Sequence, residues 1–292
     1  MAYLLERLPS GSRIAVIRLR SLGDCVLTTP ALALLKAHRP DLKIGVVVED
    51  RWRAVFEEDE IIPSQALRAW QPRAVLNLHG GTTSMWLTAA SGADIRAGFA
   101  HHKYSFVYTH KIPRAQEILG EERRVHTAEH LASAMFWMGV PRTEIPRARL
   151  SAGPAPIAGA YAVVHPFAAT PQKTWPAERF LAIAETLRDP VFLAGPDDDA
   201  SKFAKYRVIQ NAPLAEVKSI IAGAQLFIGN DSGPAHIAAA FGVPVVVLFG
   251  PSDPVNWAPW RTESQVLTSP EAIGGIRVEE VIAAADALRL RA

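Results

Sequence analysis

This chain has one cysteine, Cys25, among 292 residues. A single thiol excludes an internal disulfide framework and any cysteine-based zinc site, and it fits a reducing, cytoplasmic compartment. Long apolar runs are missing as well. None approaches the about 20 residues that span a bilayer, and residues 1–20 lack the order of a signal peptide. Peripheral contact with a membrane surface stays open. Two common nucleotide fingerprints are absent: no Gly-x-Gly-x-x-Gly follows a strand-like run, and no Gly-x-x-x-x-Gly-Lys-Ser/Thr occurs. Arginine-rich runs and nucleic-acid motifs are also lacking, which argues against a nucleic-acid partner.

What remains describes a globular chain: 49% hydrophobic, 21% charged, with a formal net charge of +2 and a mean hydropathy of +0.09. At about 100–200 residues per domain, the length suggests two domains. The charge is uneven. Residues 1–150 hold 20 Lys and Arg against 15 Asp and Glu, a net +5, whereas residues 151–292 hold 11 against 14, a net −3. Seven of the nine histidines also lie in the first half. One reading is ordinary variation along a chain; the other is an anionic partner for the N-terminal half.

Strand-like and helix-like patterns alternate. Arg13–Arg18, Lys43–Val48 and Ala74–Leu78 are apolar runs of strand length, and helical spacing covers about Val26 to Ala37 and Thr127–Met138. Residues Leu150–Gly159 are rich in Gly, Pro and Ala and form a linker. The pattern then restarts with strands at Ala162–His165, Val191–Ala194, Gln225–Ile228 and Val243–Phe249. Helices are expected at Ala177–Leu187, Leu214–Ile221 and Val278–Leu290. Such alternation predicts an α/β chain of two doubly wound domains facing a cleft, with ligands at the carboxyl ends of the strands.

The most informative stretch is Phe227 to Pro251. It reads as a strand, a tight turn at Gly229 to Gly233, a helix and another strand. Pro234 suits the first helical position and Gly242 the helix end. The N–H groups of Ser232, Gly233, Ala235 and His236 would open that helix, a place suited to phosphate. Asp231 can cap, brace the turn or approach a ligand. Ser232 has no identifiable His–acid pair, so it is read as a cap. His236 is either a ligand contact or a satisfied buried histidine.

Three further turns carry polar groups. Asp24, after the first strand, is a candidate general base or a helix cap. Lys173 can neutralise phosphate, with Thr170 and Thr174 as hydroxyl donors, or it is a solvated loop lysine. Trp175-Pro176 starts the next helix. A carboxylate in Gly195-Pro-Asp-Asp-Asp199 can accept ribose hydroxyls or cap a helix. His101-His102 and Asp197–Asp199 form no metal signature and read as solvated surface groups.

Taken in order, these motifs resemble glycosyltransferase family 9, the bacterial ADP-heptose:lipopolysaccharide heptosyltransferases. The matching pieces are Arg18-Leu-Arg-Ser-Leu-Gly-Asp-Cys-Val-Leu-Thr-Thr-Pro-Ala-Leu32, Gly92-Ala-Asp-Ile-Arg-Ala-Gly-Phe99, His165-Pro-Phe with Lys173-Thr-Trp-Pro-Ala-Glu-Arg-Phe180, and Gly195-Pro-Asp-Asp198. The most specific is Ile228-Gly-Asn-Asp-Ser-Gly-Pro-Ala-His-Ile-Ala-Ala-Ala-Phe-Gly-Val-Pro244 with Leu248-Phe-Gly-Pro251.

The resemblance implies a GT-B fold, with an acceptor-binding domain at residues 1–152 and a nucleotide-sugar-binding domain at 153–292. It implies an inverting transfer of heptose from an ADP-sugar to the anionic lipopolysaccharide core, with neither metal nor cofactor, at the inner face of the cytoplasmic membrane. Asp24 would be the base, with Ser21 and Gly23 shaping its turn. Thr170, Lys173 and the backbone of Ser232, Gly233, Pro234, Ala235 and His236 would hold the diphosphate. Asp198 would approach the ribose, and Asp231 and His236 the donor. Arg18, Arg20, Arg51, Arg53 and Arg96 are candidates to meet the acidic acceptor. The segment Leu78-His-Gly-Gly-Thr-Thr-Ser84 lacks the lysine that family members often carry there, and the N-terminal half is short. Three alternatives therefore stand beside the reading: a protein or other glycan as acceptor, a nucleotide-sugar-binding protein without transferase activity, and an epimerase.

Overall fold

The computed structural model describes residues 3–289. The chain divides into two compact units, one ending at Arg149 and the other beginning at Leu150. Both are α/β, as expected.

Among the described residues the first unit holds six strands: β1 (Arg13–Ile17), β2 (Lys43–Val47), β3 (Glu60–Ile61), β4 (Ala74–Asn77), β5 (Ile95–Phe99) and β6 (His110–Ile112). All pair in parallel, in the order β3-β2-β1-β4-β5-β6. The second unit repeats the arrangement with β7 (Ala162–His165), β8 (Pro190–Ala194), β9 (Arg207–Gln210), β10 (Leu226–Asn230), β11 (Val245–Phe249) and β12 (Ser264–Thr268). Its order, β12-β11-β10-β7-β8-β9, is the same winding read from the other edge. In each sheet the chain first winds outward from the first strand, then returns to wind the other way from the fourth. Right-handed crossovers in opposite directions place helices on opposite faces. The reversal leaves one switch point per sheet, between β1 and β4 and between β7 and β10.

The helices are α1 (Leu22–His38), α2 (Thr82–Ala90), α3 (Ala115–Leu119), α4 (Thr127–Met138), α5 (Ala177–Ala184), α6 (Leu214–Ala222), α7 (Gly233–Phe241), α8 (Pro254–Trp257) and α9 (Val278–Arg289). Strands covered on both faces must be apolar throughout. Accordingly β8, β10 and β11 are buried at every position. In the second unit Trp175, Phe180, Phe192 and Phe203 fill one face; Phe192 and Phe203 stack at 4.5 Å, and Trp175 meets Phe180 edge-on at 5.0 Å.

Helix α1 begins four residues earlier than its apolar spacing predicts, so Asp24 lies inside its first turn. Pro30 interrupts this helix without breaking it. Proline has no N–H for the carbonyl four residues back, and the Thr29 hydroxyl donates to that Val26 carbonyl instead, at 2.9 Å. Helix α5 ends three residues before Leu187, and Pro234 takes the second position of α7 after Gly233. The end predicted at Leu290 lies outside the described residues. The short or polar edge strands β3, β6, β9 and β12, together with β5 and α2, escaped the periodicity. Leu150–Gly159 carries no helix or strand. Among the described residues no helix is long and apolar enough to cross a membrane.

Candidate active site

In each sheet the polar residues collect on the loops that leave the two strands flanking the switch point. In the first unit the loop after β1 carries Arg18 to Ser21, and Ser21 is the N-cap of α1. Asp24 sits three residues on. Its Oδ2 accepts the Ser21 N–H at 3.4 Å and the Ser21 hydroxyl at 3.1 Å. Its Oδ1 accepts Arg18 Nη1 at 3.2 Å. Asp24 is thus both helix cap and open carboxylate: its side chain is 24% exposed, against 7% for Arg18. Burial lowers the Arg18 pKa from its ordinary value, and the charge of Asp24 opposes that. Beneath the turn, burial pushes the Cys25 thiol up to about 12.

The loop after β4 approaches the same pair. Asn77, fully buried, closes β4: its Oδ1 accepts the N–H groups of His79 and Gly80, each at 3.0 Å, and its amide donates to Thr88 Oγ1 at 3.0 Å. Burial, reinforced by the Arg18 charge, lowers the His79 pKa. His79 is joined by three more imidazoles. His101 and His102 lie 5.2 Å apart, His101 and His130 5.3 Å, and His130 stacks on Phe99 at 4.0 Å. His102 Nδ1 is 2.9 Å from the Tyr108 hydroxyl. Gly80 has φ +76°, and a Cβ there would strike the His102 ring, so only glycine seats the two loops together. Burial drives His102 down to about 3 and His130 to about 4, with the charges of His101 and Arg18 adding to it at both. His102 and His130 are partly buried rather than solvated surface groups, whereas His101 is exposed as expected.

In the second unit the loops after β7 and β10 converge. Asn230, fully buried at the end of β10, donates through Nδ2 to the Pro166 carbonyl at 2.8 Å and accepts the Trp175 N–H at 3.1 Å. One side chain therefore clamps both ends of the loop that carries Thr170 and Lys173. Trp175 is buried, its indole N–H donating to the Ile276 carbonyl, and Pro176 precedes α5. Lys173 Nζ is 2.8 Å from Asp231 Oδ2. A Cβ on Gly250, which follows β11, would collide with the backbone of Gln172 and Lys173. Ser232 holds the N-cap position of α7, yet its hydroxyl makes no capping bond. It donates to the Asn230 carbonyl at 3.1 Å and lies 3.1 Å from His165 Nδ1. His165 is pushed down to about 4 by burial. The first turn of α7, from Gly233 through Pro234 and Ala235 to His236, presents the positive end of the helix dipole beside Lys173 and Asp231. His236 is buried, its ring 6.5 Å from that of Trp257.

The glycosyltransferase family 9 (heptosyltransferase) profile matches residues 64–278. The chain belongs to that family. Its members are glycosyltransferases, and this protein is one. It is 28% identical over 287 residues to lipopolysaccharide heptosyltransferase 3 of Escherichia coli, covering 82% of this chain and 83% of the relative. A family 9 glycosyl transferase from Veillonella parvula superposes with a TM-score of 0.85 at 24% identity, covering 96% of this chain and 98% of the other. The E. coli heptosyltransferase WaaC solved with ADP gives 0.78 at 19% identity, over 94% and 99% of the two chains. These structures share the GT-B fold with this one.

Within this family 9 chain, the structure gathers Arg18, Ser21, Gly23 and Asp24 in one turn, and Thr170, Lys173, Asp231 and Ser232 to His236 in another. The remaining expected residues lie on other elements of the two units. Asp198 closes the bend after β8, accepting the Gly195 N–H at 2.7 Å. Arg51 is exposed, ion-paired to Glu49 at 2.9 Å, and lies over the Trp52 ring at 4.8 Å. Arg96 spends its guanidinium on the main-chain carbonyls of Val107 and Ala93, at 3.0 and 2.8 Å. Sequence reasoning passed over Asn77, Asn230 and the histidine group. For the asparagines a signal existed: each closes an apolar strand and leads into a polar loop.

Proposed function

We propose that this glycosyltransferase moves heptose from ADP-heptose onto the inner core of lipopolysaccharide, with inversion at the anomeric carbon, at the cytoplasmic face of the membrane. Residues 1–152 take the acceptor and residues 153–292 the nucleotide sugar. The observation that carries the reading is the Asp24 carboxylate at the carboxyl end of β1. A carboxylate offers about four lone-pair sites. Oδ2 uses two of its sites on Ser21, and Oδ1 uses one on Arg18. The remaining Oδ1 site is free for an acceptor hydroxyl.

In the reaction Asp24 takes the proton of that hydroxyl as its oxygen bonds to the anomeric carbon. The bond from that carbon to the diphosphate oxygen breaks on the opposite face, and ADP leaves with the electron pair. Positive character on the sugar and negative charge on the diphosphate grow together. Lys173, Thr170 and the amino end of α7 from Ser232 to His236 stabilise the leaving group more in the transition state than in the ground state. Asp198 approaches the ribose, and Asp231 and His236 the donor sugar. The names of the relatives and the ADP carried by one of them support the donor and acceptor classes.

A second acceptor, a protein or another glycan, is favoured by one observation: the segment Leu78-His-Gly-Gly-Thr-Thr-Ser84 lacks the lysine that the family resemblance leads one to expect. The experiment is direct. Purified chain is incubated with ADP-heptose and delipidated inner core, and the products are weighed by mass spectrometry. Core bearing one added heptose supports the reading; unmodified core beside a modified protein replaces the acceptor.

A further inference from the structure

Two of the largest exposed apolar side chains of the first unit lie on neighbouring elements. Trp86 on α2 is 65% exposed, and Phe106, in the short turn Ser105–Val107, is 73% exposed. The elements pack together, tied by the Thr82 hydroxyl, which donates to the Tyr104 hydroxyl at 3.1 Å. Helix α2, Thr-Thr-Ser-Met-Trp-Leu-Thr-Ala-Ala, has no charged residue. Its exposed residues are Thr82, Thr83, Trp86, Ala89 and Ala90, spaced as one helical stripe. A surface helix of a water-soluble domain ordinarily turns charges outward; this one turns an indole and methyl groups.

We propose that this face docks on the surface of an anionic phospholipid bilayer. Aromatic rings beside basic groups are the composition that settles at the headgroup boundary. Lys103 is exposed next to the patch, its ammonium 5.4 Å from the centre of the Tyr104 ring, and this half of the chain carries the net +5. The charge complements an anionic leaflet. The patch is also too small for a second copy. At about 150–250 Å² per aromatic side chain, the two rings fall below the about 800 Å² per partner of a stable protein interface, whereas shallow insertion needs only such an area. The position is apt. Helix α2 leaves the loop of His79, which feels the charges of Arg18 and Asp24, and Phe106 follows His102, which packs on Gly80. Docking here would bring Asp24 to the headgroup level, where a lipid-anchored acceptor presents its sugars. That last step alone rests on the transfer reading.

The test is flotation with vesicles of phosphatidylethanolamine and phosphatidylglycerol, against vesicles of phosphatidylcholine alone. The wild-type chain is expected to float with the anionic vesicles. Trp86→Ser/Phe106→Ser is expected to lose about tenfold or more in partitioning, from two rings withdrawn from the interface. Lys103→Glu should weaken binding in the same direction. Both side chains are exposed, so melting temperatures should match; Phe106→Ser alone serves if the double variant folds poorly. Wild type that stays with the buffer, or a double variant that floats equally well, overturns the proposal. So does a wild-type dimer that becomes monomeric in the double variant. A transfer assay separates this from the catalytic reading. Wild type and variant should glycosylate delipidated core equally, with only the wild type efficient on core embedded in vesicles. Vesicle binding without transfer to either acceptor would strike the transfer reading and leave the docking surface standing.

Discussion

Asn77 and Asn230 are the same residue in two sheets: each ends the fourth strand of its unit, is fully buried, and spends its amide on a functional loop. Asn77 holds the backbone of His79 and Gly80; Asn230 holds Pro166 and Trp175. A buried amide that meets both its donor and acceptor needs is rigid, because every alternative leaves polar groups unpaired in a dry interior.

Asn230→Asp keeps the acceptor for Trp175 and removes the donor to Pro166. Leaving that carbonyl unsatisfied should cost about 1–3 kcal/mol in denaturant unfolding. The loop that carries Lys173 then loses one of its anchors. The KM for the sugar nucleotide should rise, with little change in the KM for the acceptor.

Asp24→Asn should lower kcat by about two to four orders of magnitude, the usual contribution of a positioned base. ADP should still raise the melting temperature. The variant also strips the buried Arg18 of its counter-charge, which calls for a loss of stability on the order of 2 kcal/mol, moderated by the partial exposure of the carboxylate. Full activity in Asp24→Asn would remove it from the role of base.

On the proposed donor site, Lys173→Ala would remove a charge-assisted contact to the diphosphate and should weaken ADP binding by about ten- to a hundredfold. Calorimetric titration measures this. Asp231→Asn works in the opposite sense on free ADP, because Lys173 no longer shares its charge with a carboxylate 2.8 Å away.

Acid should destabilise the fold before its carboxylates titrate. His102, His130 and His165 sit at about 3, 4 and 4, below the ordinary 6.5, chiefly because burial disfavours their charged forms. Between about pH 6.5 and 4 the unfolded chain therefore binds more protons than the native one, and stability rises with pH across that window. It is complete above about 6.5 and lost on descent toward 4. Melting temperatures taken across the window should show that slope, and His102→Gln/His130→Gln should flatten it.

Much of this was legible from local chemistry. The run from Phe227 to Pro251 announced strand, turn, helix and strand because Gly, Pro and the apolar run each act over a few residues. Lys173 and Asp24 stood out as charges after strands. Other features were invisible because they depend on contacts distant in sequence. His79, His101, His102 and His130 become one group only when β4 and β5 lie side by side and α4 folds over them. The partner of Ser232, His165, is 67 residues away. Arg96 looked available because sequence does not reveal that its guanidinium is held by backbone carbonyls. The early start of α1 was hidden by Gly23 and Asp24, residues that suit a turn as well as the first turn of a capped helix.

The sole thiol of the chain is sealed under the Asp24 turn, with its ionisation deferred to about 12. Maleimide and iodoacetamide chemistry, which requires thiolate and access, should pass over the native protein. Any cysteine introduced at an exposed position would then be the single reactive site. The molecule is in effect pre-cleared for attaching one fluorophore or spin label wherever it is wanted.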